Sequence, residues 1–237
     1  MHIEHKPGGM PGDIRRRVRM LAATALLIAV TMLTACGEGS KSLVQTIRAG
    51  VLGGPAVAVS PDDVARRPLF QLLVSNEHGK ALLILGNVDG HREAWYGPRG
   101  SAVFLEEGRV VKTANLEENL EGTRVIGTNP FVSGLHRLAA PVEFDSVDDW
   151  SPGYRYGVVV HNRLVPADVE SVEILGQSRQ LLRVDEERRS GDASWNVTAH
   201  YWVDPETGFI WKSHQQLGPG LGMELVQLKP RLQGGPR

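Results

Sequence analysis

Apolar residues in this chain first crowd into one run and then disperse into alternation. Positions 21 to 32 are all apolar or small. Far downstream, Trp195, Val197, Ala199, Tyr201 and Val203 alternate with Asn196, Thr198, His200, Trp202 and Asp204. Strand side chains point to opposite faces with period two, so this segment has one apolar and one largely polar face. That is the pattern of an antiparallel sheet packed on one side. Similar short runs, bounded by Gly, Asn and Asp, predict strands over 69–75, 81–85, 93–96, 101–105, 109–114, 142–144, 154–163, 169–177, 179–189, 194–204, 208–217 and 223–228. Turns fall at 76–79, 87–90 and 106–108, and Asp204-Pro205-Glu206-Thr207-Gly208 folds one strand onto the next. Pro presets φ there and Gly accepts a positive φ.

Helical spacing is confined to the N-terminal side. Leu43, Val44, Ile47, Val51 and Leu52 predict a short amphipathic helix. Ser60-Pro61-Asp62-Asp63 predicts a second, brief one, with Ser as cap, Pro in the first turn and acids at the positive dipole end. The polar, Gly-rich stretch 117–134, broken by Asn129-Pro130, reads as a long loop or subdomain junction. The expected fold is mainly β: a large curved antiparallel meander or half-barrel with one or two short N-terminal helices. Residues 43–230 form one β-rich domain, and 231–237 a flexible tail. Trp95, Gly108 and Lys112 recur a hundred positions later as Trp195, Gly208 and Lys212, which is either chance or a duplicated β-unit.

The apolar run at 21–32 follows Arg15, Arg16, Arg17 and Arg19 and ends in Leu33-Thr34-Ala35-Cys36. Basic segment, short apolar core and small exit residues make a secretory signal over 1–35, whether translation starts at Met1 or Met10. The core is shorter than the ~20 residues a membrane span needs. Leu-Thr-Ala-Cys resembles a bacterial lipobox, so Cys36 is expected to carry lipid, with 36–42 as a tether. Cys36 is the only cysteine, so it has no disulfide partner in the chain. Acyl chains then attach the protein to the membrane, each buried CH₂ contributing about 0.8 kcal/mol. Gly37, rather than Asp, follows the cysteine; under the common sorting rule this sends a lipoprotein to the outer membrane.

Residues 1–35 hold five of the 26 basic and two of the 27 acidic residues, so the remainder has a net charge of −4. Phosphate binding needs clustered positive charge, so a nucleic-acid partner is not expected. No histidine pair flanks an acid at helical spacing, and Gly218-Pro219-Gly220-Leu221-Gly222 precedes a strand. Neither a zinc motif nor a phosphate loop is written here. No metal, other cofactor or catalytic residue is assigned, and the expectation is a protein that is not an enzyme. Glu106-Glu107 and Asp148-Asp149 read as solvated turn acids. His200, Asp204 and His214 could meet across neighbouring strands as an acid/base or metal cluster, although an ordinary polar sheet face is the better explanation.

The aromatic residues carry the remaining signal. Most of the tryptophans and tyrosines should be core. Alternation, however, puts Trp202 with Asn196, Thr198 and His200, opposite Tyr201. These four residues form the candidate face for glycan or a protein partner.

Two segments carry a family resemblance. Gly108-Arg109-Val110-Val111-Lys112-Thr113 with Asn119-Leu120 is one. Tyr201-Trp202-Val203-Asp204 through Gly208 to Ser213, Gln215, Gln216, Leu217 and Gly218 is the other. Both resemble the YjbF/GfcB lipoproteins associated with group 4 capsule and exopolysaccharide production. The resemblance implies an outer-membrane lipoprotein with a β-rich periplasmic domain, assisting polysaccharide production or export. Its partners would be the membrane, through the lipid anchor, and either polysaccharide or export components. The Trp202–Gly208 hairpin also resembles the open half-barrels of lipoprotein carriers, and a lipid- or lipoprotein-binding carrier is the alternative. A carrier needs a deep apolar cavity under its sheet, a glycan binder a shallow aromatic groove.

Overall fold

The computed structural model describes residues 59–231. The expected signal, Cys36 with its tether, the 43–52 helix and the end of the tail from 232 lie outside the described residues. The first element is the helix that the Ser60 motif predicts, α1 (Pro61–Arg66), with the Ser60 hydroxyl accepting from the Asp63 N–H. Twelve strands follow: β1 (Gln71–Asn76), β2 (Gly79–Asp89), β3 (Arg92–Tyr96), β4 (Ala102–Glu106), β5 (Arg109–Ala114), β6 (Asn119–Ile126), β7 (Val142–Ser151), β8 (Arg155–Ile174), β9 (Gln177–Ser190), β10 (Asn196–Val203), β11 (Ile210–Gly218) and β12 (Leu221–Lys229). All neighbours are antiparallel, in one sheet ordered β5-β4-β3-β2-β1-β12-β11-β10-β9-β8-β7-β6. The sheet is nearly closed as a barrel, as the expected curved meander requires.

Several boundaries differ from the sequence reading, each for a physical reason. Residues 117–134 are no loop or junction: they contain β6, and then a short helix α2 (Pro130–Ser133) capped by Asn129. A 3₁₀ turn, Leu135–Arg137, follows. Strand β6 is polar because it is an end strand that buries only Leu120. The strands expected at 154–163 and 169–177 are one twenty-residue strand, β8. Pro166, which reads as a break, sits where the β8–β9 register shifts, a bulge position that tolerates a missing N–H. Strand β7 continues past 144 to Ser151, and β2 runs through the turn expected at 87–90 as far as Asp89. The hundred-residue echo is matched only in part. One strand lies between Trp and Gly in each set, but Trp95 is inside β3 whereas Trp195 stands in the connection before β10.

The barrel closes without a backbone ladder. The end strands β5 and β6 meet through side chains: Thr113 Oγ1 accepts the Leu120 N–H at 3.0 Å, and Lys112 Nζ donates to the Glu121 carbonyl at 3.1 Å. Strand β5 finds a second substitute partner across the interior. Gln215 of β11 accepts the Val110 N–H and donates to the Gly108 carbonyl, both at 2.8 Å. Thr113 is buried. Thr113→Val therefore leaves a buried N–H unpaired, and should cost about 1–3 kcal/mol. Amide exchange should accelerate first along β5 and β6; uniform acceleration through the sheet would contradict a seam held by side chains.

Inside, two apolar clusters flank a polar belt. One cluster gathers Leu72, Trp95, Leu120, Trp150, Val160 and Leu217; the other gathers Phe131, Phe144, Leu164, Val184, Tyr201 and Ile210. Strands β7, β8 and β11 run from one cluster to the other through buried polar residues, Ser146 and Asp148, Asn162, and Ser213 and Gln215, and β9 adds Glu186 and Arg188 to the belt.

Candidate functional site

The outward face of β10 is where the alternation puts it. Ala199, Tyr201 and Val203 are buried, Asn196 and Thr198 are exposed, and His200 and Trp202 are half-buried. Antiparallel register then assembles rows across the sheet. Asn196 lies opposite Arg189, which faces His161, which faces Asp145. Thr198 lies opposite Glu187, and Glu187 accepts from Arg163 at 3.3 Å. His200 lies between Asp185 and His214: its Nδ1 is 2.7 Å from Asp185 Oδ1, and the two imidazoles stack with centroids 6.2 Å apart. Trp202 lies between Arg183 and Lys212. Its Nε1–H donates to Glu170 at 2.8 Å, Arg183 pairs with Glu170 at 2.6 Å, and the Lys212 ammonium is 5.2 Å from the indole centroid.

These rows bring all four candidate residues onto one lattice of alternating charge with a single indole at its edge. Asn196 borders a polar groove of about 360 Å³ with His161, Arg163 and Arg189. Such a face can offer hydrogen bonds in both senses and one aromatic plane, which suits polyhydroxylated or peptide ligands. The trio of His200, His214 and Asp204 does not assemble. Asp204 instead accepts the N–H groups of Glu206 and Thr207 at 3.1 and 2.9 Å, closing the β10–β11 turn. Burial works to raise its pKa, but these turn hydrogen bonds win and hold the carboxyl below the usual range. A depressed carboxylate pKa favours folding above the unfolded value, and that contribution is lost as pH falls through the folded one. The turn should therefore loosen in acid, and Asp204→Asn should flatten that pH dependence in thermal melts. Among the described residues, no three His, Cys, Asp or Glu side chains are grouped to hold a metal ion.

The interior belt contains the residues that sequence reasoning missed. Asp148, expected as a solvated turn acid, is fully buried on β7 and bonded to Arg188 and to Thr123. Arg109 pairs with Glu186 at 3.0 Å, and the Tyr201 hydroxyl donates to the same carboxylate at 2.7 Å. Burial pushes the Tyr201 pKa well up, and the Glu186 charge adds to it. For Arg109, burial works downward, but Glu186 outweighs it and the net shift is upward. The Arg109 guanidinium also lies 5.2 and 5.4 Å from the Phe131 and Phe144 ring centroids. A signal was available in the sequence: Phe144, Ser146, Asp148 and Trp150 share one strand parity, so an acid stands between two aromatics on one face.

Fold and surface together define a nearly closed antiparallel barrel with apolar clusters and an ionic belt inside and a lattice of alternating charge outside. The chain belongs to the family described as group 4 capsule polysaccharide lipoprotein gfcB, YjbF, whose family model matches residues 44–228. It is 24% identical over 210 residues to the uncharacterized lipoprotein GfcB of Escherichia coli K12, covering 86% of this chain and 97% of that one. The lipoprotein YjbF of the same strain is 23% identical over 196 residues, with 82% and 91% covered. The crystal structure of the hypothetical lipoprotein YmcC from Escherichia coli K12 superposes with a TM-score of 0.66 at 22% identity. That likeness covers 79% of this chain and 95% of that one, and shows a shared fold.

Proposed function

We propose that this chain is an outer-membrane lipoprotein, anchored through Cys36, that assists production or export of capsule or exopolysaccharide from the periplasmic face. The observation that carries this reading is the family match, which begins at residue 44, shortly after the lipobox-like Leu33–Cys36 motif. The family and both Escherichia coli relatives are named as lipoproteins. In this reading the lipid holds the barrel at the membrane, and the face of Asn196, Thr198, His200 and Trp202 meets polysaccharide or an export component. The role is one of binding or assembly, with no catalytic step. A carrier function is less well supported, because the space an acyl chain would need under the sheet holds the two apolar clusters and the ionic belt.

Deleting the gene should lower polysaccharide output, and the wild-type gene should restore it. Cys36→Ser should not restore it, and should accumulate as unprocessed precursor. Undiminished output in the deletion strain contradicts the capsule role; a processed, unlipidated N-terminus seen by mass spectrometry contradicts the anchor. Gly37→Asp should move the protein toward the inner membrane in fractionation.

A further inference from the structure

At one end of the barrel, the turn of hairpin β4–β5, the segment of α2 and the 3₁₀ turn, and the β10–β11 turn surround a cleft of about 670 Å³. That volume falls among ordinary small-ligand pockets of roughly 300–1,000 Å³. Leu105, Leu135 and Ile210 give the cleft apolar walls, while Glu93, His136 and Gln227 bring polar atoms to it. Trp202 is not part of it, so this is a place separate from the outer face.

The polar atoms are incompletely satisfied. Gln227 is only 7% exposed, and its Oε1 is buried and accepts no hydrogen bond from the described residues. Nδ1 of His136 is likewise buried without a partner. A buried acceptor left unpaired is costly, and such groups are usually matched by a donor from somewhere. Glu93 reaches the same cleft, with the Trp95 indole N–H donating to its Oε2 at 3.1 Å. Burial is the main influence on this carboxyl and raises its pKa, while the Trp95 hydrogen bond and the Arg231 charge work downward.

A ligand that complements this set must present apolar surface and hydroxyl donors together. An acyl chain would leave Gln227 Oε1 unpaired. A pyranose ring meets both demands, with C–H faces for the apolar walls and hydroxyl groups at its edges. We propose that this cleft is a glycan-binding subsite, in which the Gln227 side-chain amide turns to accept from one sugar hydroxyl and a second hydroxyl engages Glu93. The inference rests on the polysaccharide reading above and adds to it a specific site and ligand class.

The test uses the full mature lipidated chain in detergent micelles. The probes are oligosaccharides released by partial acid hydrolysis from the parent strain's own exopolysaccharide, followed by saturation-transfer NMR and titration. Wild type should transfer saturation to these fragments. Gln227→Leu should weaken binding about tenfold or more while leaving the thermal midpoint unchanged or raised, since it removes an unpaired buried oxygen. Glu93→Gln should weaken binding with the fold intact. No transfer to any fragment overturns the proposal, as does a Gln227→Leu chain that binds like wild type. The two readings fail separately. Absent fragment binding beside deletion-sensitive output removes the cleft alone, whereas cleft binding beside deletion-insensitive output removes the capsule role alone.

Discussion

Arg188→Met is expected to lose about 3–5 kcal/mol of unfolding free energy, the usual result of removing one partner from a buried ion pair. Asp148 is fully buried, and Arg188 and Thr123 are its hydrogen-bond donors. Arg188 also donates to the Gln216 carbonyl at 2.7 Å and to Asn162 at 3.3 Å, so one substitution unpairs groups on three strands. Adding Asp148→Leu should recover most of the loss, because a buried pair replaced by apolar side chains is often neutral in stability. Denaturant titration of both variants decides this. A single variant within about 1 kcal/mol of wild type, the range of an exposed pair, would mean that water reaches the belt.

Trp195→Ala is expected to cost about 3 kcal/mol, the lower end of the range for large aromatic truncations. Trp195 is half-buried and packs against the first apolar cluster, meeting Trp150 edge-on with centroids 6.0 Å apart. The size of the loss depends on how far β9 and β10 can close over the space. Circular dichroism melts of Trp195→Ala beside Trp150→Ala measure it, and the fully packed Trp150 should be the more costly.

The outward and inward parities of β10 were legible from five alternating residues, as were the capped start of α1 and the turn at 204–208. Alternation works there because the inward side is apolar throughout. It fails on β7, where Ser146 and Asp148 face inward and make the strand look solvated after Phe144. Asp148 tolerates burial because Arg188 arrives from β9, forty positions away, and local pattern carries no trace of that pairing. Strand β6 was missed for a related reason. As an end strand whose backbone is partly satisfied by Thr113, it needs few apolar residues. The candidate face was legible as a parity, but not as a lattice, since Asp185, Lys212 and Glu170 come to it from three other strands. The end cleft left no mark in the sequence, because its walls come from five separate segments.

The central claim is that the barrel's interior serves stability and its outer face serves polysaccharide production. Comparing Trp195→Ala with Trp202→Ala, for unfolding midpoint and for polysaccharide yield at matched protein level, tests it most directly. Trp202 is half-buried on the outer side and held by Glu170 and Lys212, and exposed polar contacts of this kind contribute only about 0–1 kcal/mol. The account predicts that Trp202→Ala melts close to wild type yet lowers yield, while Trp195→Ala melts early. If Trp202→Ala instead unfolds as readily as Trp195→Ala, or leaves yield untouched, the outer face is not the working surface.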